Sequence, residues 1–222
     1  MKRISLWGAV VLLAGVSASP VLAYRIGNPG VVSDQGKGDV GAVLELGERK
    51  LEADGSGDMD ITGLTFEGRY GLGNSLELRG RFIPMTVEWD GGDGFSPNML
   101  GLGAGIQWLP GMQKGPLTWG VGAGFDWGKG DDGDVDLDYL DIVLNGGVSY
   151  KVNKELAAYG GLSFINSDVT FKGPGGSVSA DIDNPIGLFG GVDFAANKNW
   201  KLGAELRLIS ETMVSLTGRY CF

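Results

Sequence analysis

The chain has 222 residues, of which 41 are glycine, one is cysteine and none is histidine, and its 18 basic residues face 27 acidic ones. An acidic chain lacks the basic face that nucleic acid requires, and the lone Cys221 leaves no partner for an internal disulfide. After the first two dozen residues no stretch approaches the roughly 20 consecutive apolar residues of a helical membrane span.

Met1–Ala23 reads as a secretory leader: Lys2 and Arg3 supply the charged start, Leu6–Val16 the apolar core and Val21-Leu22-Ala23 the small-residue cleavage site. Ser17, Ser19 and Pro20 cut the apolar run to leader length, too short for an anchor. Tyr24, not a cysteine, stands directly after Ala23, so no lipid attachment is expected there. Removal after Ala23 leaves 199 residues with 16 basic and 27 acidic side chains, a net charge of −11 and one domain's worth of chain. Tyr24–Gly38 has no period and is rich in Gly, Asp, Asn and Pro, so residues 24–38 are expected to be a short periplasmic N-terminal segment.

From Asp39 onward the apolar residues alternate, the signature of strands with one greasy and one polar face. Asp39–Lys50 sets Val40, Ala42, Leu44 and Leu46 against Val43 and Glu45; after a Gly/Asp loop at Ala53–Asp58, Ile61–Leu72 sets Leu64, Phe66 and Tyr70 against Thr65, Glu67 and Arg69. Gly73-Asn74-Ser75 is a tight turn. Leu76–Trp89 sets Leu76, Leu78 and Phe82 against Glu77, Arg79 and Arg81, and past Ile83-Pro84 the apolar parity moves to Met85, Val87 and Trp89, which predicts a bulge. A loop at Asp90–Pro97 precedes Met99–Leu109, and Leu117–Trp127 alternates Val121, Ala123 and Phe125 with Gly120, Gly122, Gly124 and Asp126. An acidic loop, Gly128–Asp134, leads to a strand ending at Tyr150 with Leu140, Ile142 and Leu144 on one face and Asp141 and Asn145 on the other. Leu156–Phe171, a long loop at Lys172–Asn184, the strand around Ile186–Phe194 and Trp200–Leu208 follow; the last puts Lys201, Glu205 and Arg207 on its polar face. The closing stretch Glu211–Phe222, ETMVSLTGRYCF, sets Val214, Leu216, Gly218, Tyr220 and Phe222 against Ser215, Thr217, Arg219 and Cys221.

That gives about ten strands, with eight the alternative if two weaker segments extend loops. Segments near 10 residues suit tilted membrane-crossing strands, and lipid requires that such a sheet close on itself. Aromatics sort to both strand ends: Tyr70, Trp108, Trp119, Tyr150, Phe194, Trp200 and Tyr220 at the turns, and Trp89, Phe125, Trp127, Tyr139 and Phe164 toward the loops. Two such belts match the two interfaces of a membrane. The fold class is therefore all-β: a transmembrane antiparallel up-and-down β-barrel over residues 39–222.

The alternating closing strand with its terminal Phe222 resembles that of bacterial outer-membrane β-barrels, and the whole of Asp39–Phe222 resembles the small OmpA-like and OmpX-like barrel domains. The resemblance implies residence in the bacterial outer membrane amid lipid and lipopolysaccharide. It also implies delivery by periplasmic chaperones to the barrel assembly machinery, with Val214, Leu216, Tyr220 and Phe222 as the assembly signal. A monomer is expected. Unlike OmpA, the chain shows no peptidoglycan-binding domain after the barrel. The outer-membrane barrel enzymes rely on an active-site histidine, which this chain lacks, so none of their sites carries over and no enzyme activity is expected.

The Asp131–Asp138 run has D-x-D-x-D spacing, but Tyr139 stands where a calcium loop needs glycine and no glutamate follows at the twelfth position. The glycine-rich stretches 101–105 and 120–124 open no helix and cradle no phosphate. No metal and no cofactor is expected. What alternation does place inside is a set of charges, Glu45, Glu67, Arg69, Glu77, Arg79, Arg81, Lys201, Glu205, Arg207 and Arg219, facing a wall of small residues. Opposite charges in a poorly solvated interior should pair. The expected function is a non-catalytic envelope or surface barrel plugged by this network, the alternative a narrow porin-like channel for small solutes.

Overall fold

The computed structural model describes residues 25–52, 57–89, 97–111, 115–174 and 176–222; the expected leader lies outside them, as do most of the loops at 53–58 and 90–97. The described residues contain eleven strands in one antiparallel sheet. They are β1 (Gly38–Glu52), β2 (Gly57–Gly73), β3 (Leu76–Trp89), β4 (Asn98–Trp108), β5 (Leu117–Asp132) and β6 (Val135–Lys151). Then come β7 (Leu156–Gly173), β8 (Gly176–Ile182), β9 (Ile186–Ala195), β10 (Trp200–Leu208) and β11 (Glu211–Cys221). Ten of these, all but β8, form the barrel, each paired with the next and β11 returning to β1 along Asp39–Arg49 and Glu211–Cys221.

The strands lean strongly. A line of paired residues starting at Gly38, the turn end of β1, passes through Tyr70, Leu78, Ile106, Ala123, Leu144 and Phe164 to Ile186, the loop end of β9. Such a climb is the stagger that closing a barrel requires, with strands tilted about 35–45° to its axis. The polarity of the chain follows the pleat: Leu206 is 44% exposed while its neighbours Glu205 and Arg207 are buried. An exposed band of Leu, Val, Ile and aromatic side chains circles the outside, as hydrocarbon demands. Within it Trp200 and Tyr220 meet edge to face at 5.5 Å near the turn end. Asn74 and Ser75 join β2 to β3 with φ of 51° and 62°, the left-handed pair of a tight hairpin.

Four expectations are corrected. First, β3 has no bulge at Pro84: the ladder to β4 runs unbroken from Arg81–Gly103 through Pro84–Leu100 to Met85–Met99. Ile83 and Met85 keep the inward parity of Arg81, and what changes is the interior, which becomes apolar there. Second, Tyr139 does not join the outer belt; it is buried in that same apolar interior. Third, Gly128–Asp134 is no open loop, because β5 and β6 pair as far as Asp132 and Val135. At this mouth Asp138 bridges Lys129 and Lys172, whose hydrogen bonds hold its carboxyl below the usual range.

Fourth, the span Lys172–Asn184 contains β8. This strand hairpins back along β7 and reaches β1, where Leu51 pairs with Ile182 and Glu52 with Asp181. Below it the same edge of β7 pairs with β9, and the same edge of β1 with β11. β8 therefore lies across the upper ends of β9, β10 and β11. The ring has ten strands along the length of β9–β11 and eight, β1–β8, at the mouth.

The alternation yields a test. Arginine at Leu102, Val121 or Leu206 should cost about 2–4 kcal/mol in denaturant unfolding of the lipid-embedded protein. In a Cys221→Ser background, cysteines at these three positions should react with lipid-soluble reagents, and those at Gly103, Gly122 and Glu205 should not. Equal labelling of neighbours would disprove the register.

Candidate functional site

The barrel encloses an interior filled in three tiers. The tier nearest the turns contains a part of the chain that the sequence placed outside the barrel. Residues 25–33 form no strand, as their aperiodic composition suggested, yet Arg25–Gly30 are buried inside the lumen. From the start of β1 the segment crosses the turn-end opening, where Gln35 pairs with Gly71, and then rises into the interior. The barrel wall holds it mainly by its backbone. Ser33 donates its amide and hydroxyl to Glu77 at 2.7 and 2.8 Å, and Thr118 and Gln107 donate to the carbonyls of Gly30 and Pro29 at 2.7 and 2.9 Å. Arg79 donates to the carbonyl of Ile26 at 2.6 Å, while the Ile26 and Gly27 amides donate to Glu205 at 3.2 and 2.8 Å.

Two side chains of the segment fill pockets. The Arg25 guanidinium lies 3.5 Å from Glu67 and 3.8 Å from Asp193 and donates to the Tyr159 hydroxyl at 3.4 Å. Ile26 packs with Val143, Tyr159, Ile165, Ile182 and Phe189. Around them Arg69 bonds Glu67 at 3.0 Å through Nε, Arg79 bonds Glu77 at 3.0 Å, and Arg219 bonds Asp193 at 2.9 Å.

The middle tier is a chain of alternating charge. Asp126 pairs with Arg81, and Arg81 reaches Glu45 at 3.5 Å. Glu45 meets Arg207 at 3.2 Å, Arg207 meets Glu211 at 2.9 Å, Glu211 meets Arg49 at 3.0 Å, and Arg49 meets Asp141 at 2.9 Å. Thr65 donates to Glu45 at 2.9 Å, and Ser167 bonds Asp141. Glu205, 3.8 Å from Arg207, ties this chain to the tier below. The third tier, under the mouth, is apolar: Leu51, Met59, Ile61, Ile83, Met85, Met99, Leu137, Tyr139, Val169, Ala180 and Met213 pack together.

Of the charges read inward from the sequence, Glu45, Glu67, Arg69, Glu77, Arg79, Arg81, Glu205, Arg207 and Arg219 are all buried in this interior, divided between two tiers. Lys201 is half-buried, on the wall of a cavity of about 320 Å³ at the turn-end opening. The wall opposite is richer than small residues, since it supplies Asp126, Asp141, Gln107 and Tyr159. Arg49 and Glu211 were missed although Asp39–Lys50 and Glu211–Phe222 read as strands: Glu48 and Lys50 flank Arg49, and Ser210 and Thr212 flank Glu211, so with every neighbour polar the alternation has no contrast there. Arg25 was missed because a segment without period carries no signal of where it lies.

Breaking the middle tier should be costly. Glu45→Ala takes one carboxylate each from Arg81, which keeps Asp126, and Arg207, which keeps Glu211, and should cost about 3 kcal/mol, whereas Thr65→Val removes one hydrogen bond and should cost about 1 kcal/mol. Denaturant titration of the lipid-embedded barrel checks this, and equal losses would disprove the central place of Glu45.

A family model for the outer membrane protein beta-barrel domain matches residues 84–215. No curated protein sequence matches the chain. Among solved structures, the attachment invasion locus protein Ail of Yersinia pestis is 16% identical over 85% of this chain and 99% of its own, with a TM-score of 0.38. OprG of Pseudomonas aeruginosa is 12% identical over 86% and 98%, with a TM-score of 0.43. The COG4313 outer membrane channel of Pseudomonas putida F1 is 10% identical over 90% and 100%, with a TM-score of 0.49. With its closed, lipid-faced barrel and a family match over more than half its length, the chain belongs to the outer membrane protein beta-barrel domain family and is a protein of the bacterial outer membrane.

Proposed function

We propose that the protein is a non-catalytic envelope or surface barrel whose lumen is shut, rather than a channel. The observation that carries this reading is the filling of the interior by three different materials in succession: a stretch of backbone, a chain of ion pairs and an apolar layer. A solute would have to displace all three. An ion crossing the third would leave water for a layer of apolar side chains in which Tyr139 supplies a hydroxyl, which is expensive. Carboxylates and arginines in the middle tier engage each other rather than an open site, which supports the non-catalytic part of the reading.

The intact protein in a planar lipid bilayer should therefore be nearly silent. Steady, charge-selective current from it would overturn the shut lumen and favour the narrow channel. The double variant Arg79→Ala with Arg207→Ala removes one anchor of the segment and one link of the charge chain, and it should raise conductance above that of the intact protein.

Assembly is part of the same reading. Val214, Tyr220 and Phe222 are exposed and Leu216 is half-exposed on the same face, an apolar, aromatic edge at the chain end. We take it as the signal read by the barrel assembly machinery after delivery by periplasmic chaperones, with a monomer as product. Deleting Phe222 should reduce outer-membrane insertion severely, while Cys221→Ser should leave it unchanged; membrane fractionation compares the two. Equal insertion would refute the signal.

A further inference from the structure

The contacts of the N-terminal segment are those of a bound peptide. Its backbone amides and carbonyls at Ile26, Gly27, Pro29, Gly30 and Ser33 meet side chains of four different strands, β3, β4, β5 and β10, and none of these contacts depends on strand pairing. The wall is cut to its shape. A Cβ on Gly120 would stand 2.1 Å from the Pro29 carbonyl oxygen, and a Cβ on Gly30 would stand 2.6 Å from both Ser149 and Thr118. Gly27 takes φ of +70°, a turn that side chains disfavour. Without the segment, Glu67 and Asp193 would lose the Arg25 guanidinium, now 3.5 and 3.8 Å away, and keep only Arg69 and Arg219 as ion-pair partners.

We propose that the turn-end half of the lumen is a binding site for a turn-containing peptide led by an arginine and an aliphatic residue, occupied here in cis by residues 25–33. Main-chain contacts supply most of the hold and tolerate sequence, as they do in other modes of peptide capture. The buried guanidinium and the Ile26 pocket supply selection. The cis arrangement raises the effective concentration of the segment, so that it outcompetes free peptide while the tether at residues 34–37 is intact. Cutting that exposed tether makes the segment an ordinary ligand, exchangeable with any peptide of the same chemistry.

The inference rests on the closed-lumen reading, and the two fail differently. A protease site inserted between Gly36 and Lys37 allows the folded protein to be cut after it has been reconstituted, with gel mobility of unheated samples verifying that the barrel persists. The probe is a fluorescent peptide with the sequence of Arg25–Asp34. Cut protein should take it up saturably and uncut protein should not. The same peptide with Arg25→Ala should bind at least ten-fold more weakly, and one of shuffled sequence should fail to compete. No uptake by the cut protein, or equal uptake of the Arg25→Ala peptide, overturns the peptide site. Current through the uncut protein instead overturns the closed lumen and leaves the exchange result to stand or fall alone.

Discussion

Hydrocarbon offers no partner to a peptide group, so every backbone amide and carbonyl within the membrane must be paired inside the protein. For this chain the requirement is met only when β11 returns to β1, and much else follows from that seam. Closing ten tilted strands fixes the outer face as apolar and also fixes an interior volume that side chains of an eight-stranded barrel would not have had to fill. The protein fills it with what the pleat leaves pointing inward and with a length of its own backbone.

The interior charges are almost all arginine and carboxylate. Arg25, Arg49, Arg69, Arg79, Arg81, Arg207 and Arg219 are buried, whereas Lys129 and Lys172 sit at the mouth and Lys201 near the turn-end opening. A guanidinium spreads five donors over a planar fork and can bridge two carboxylates, as Arg207 bridges Glu45 and Glu211 and Arg49 bridges Asp141 and Glu211. An ammonium group would serve one partner well and stay costly to desolvate. Buried ion pairs add little net stability compared with apolar packing, but breaking one is severe. The network thus specifies which strands face one another across the lumen more than it strengthens the fold.

The outer face was legible because lipid enforces one rule at every second position from Val40 to Phe222. The interior was legible only where it is polar. Around Pro84 both faces of β3 are apolar, so the alternation loses its contrast and Met85 reads as outward although it is buried. Tyr139 was misread for the same reason. β8 has Ser177, Ser179 and Asp181 on its exposed side and lies at the mouth, where no lipid imposes greasy partners, so it looked like loop. The lumenal segment had no period at all. The one trace it leaves in the sequence is indirect: wall glycines such as Gly120, which look like simple barrel glycines until Pro29 is found against them.

The crossing of β8 over its three shorter neighbours has a mechanical consequence. The barrel is joined along β1 by eleven residue pairs to β11 but by only two to β8, with one more backbone bond from Asp183 to Lys50. Heat or pulling force applied at the outer rim would part the weaker joint first. β8 would swing away with the tip of β7 as a hinged flap and leave the ten-stranded hoop below it whole. Loss of structure would then start as a local peeling at one corner of the rim, well before the hoop itself comes undone.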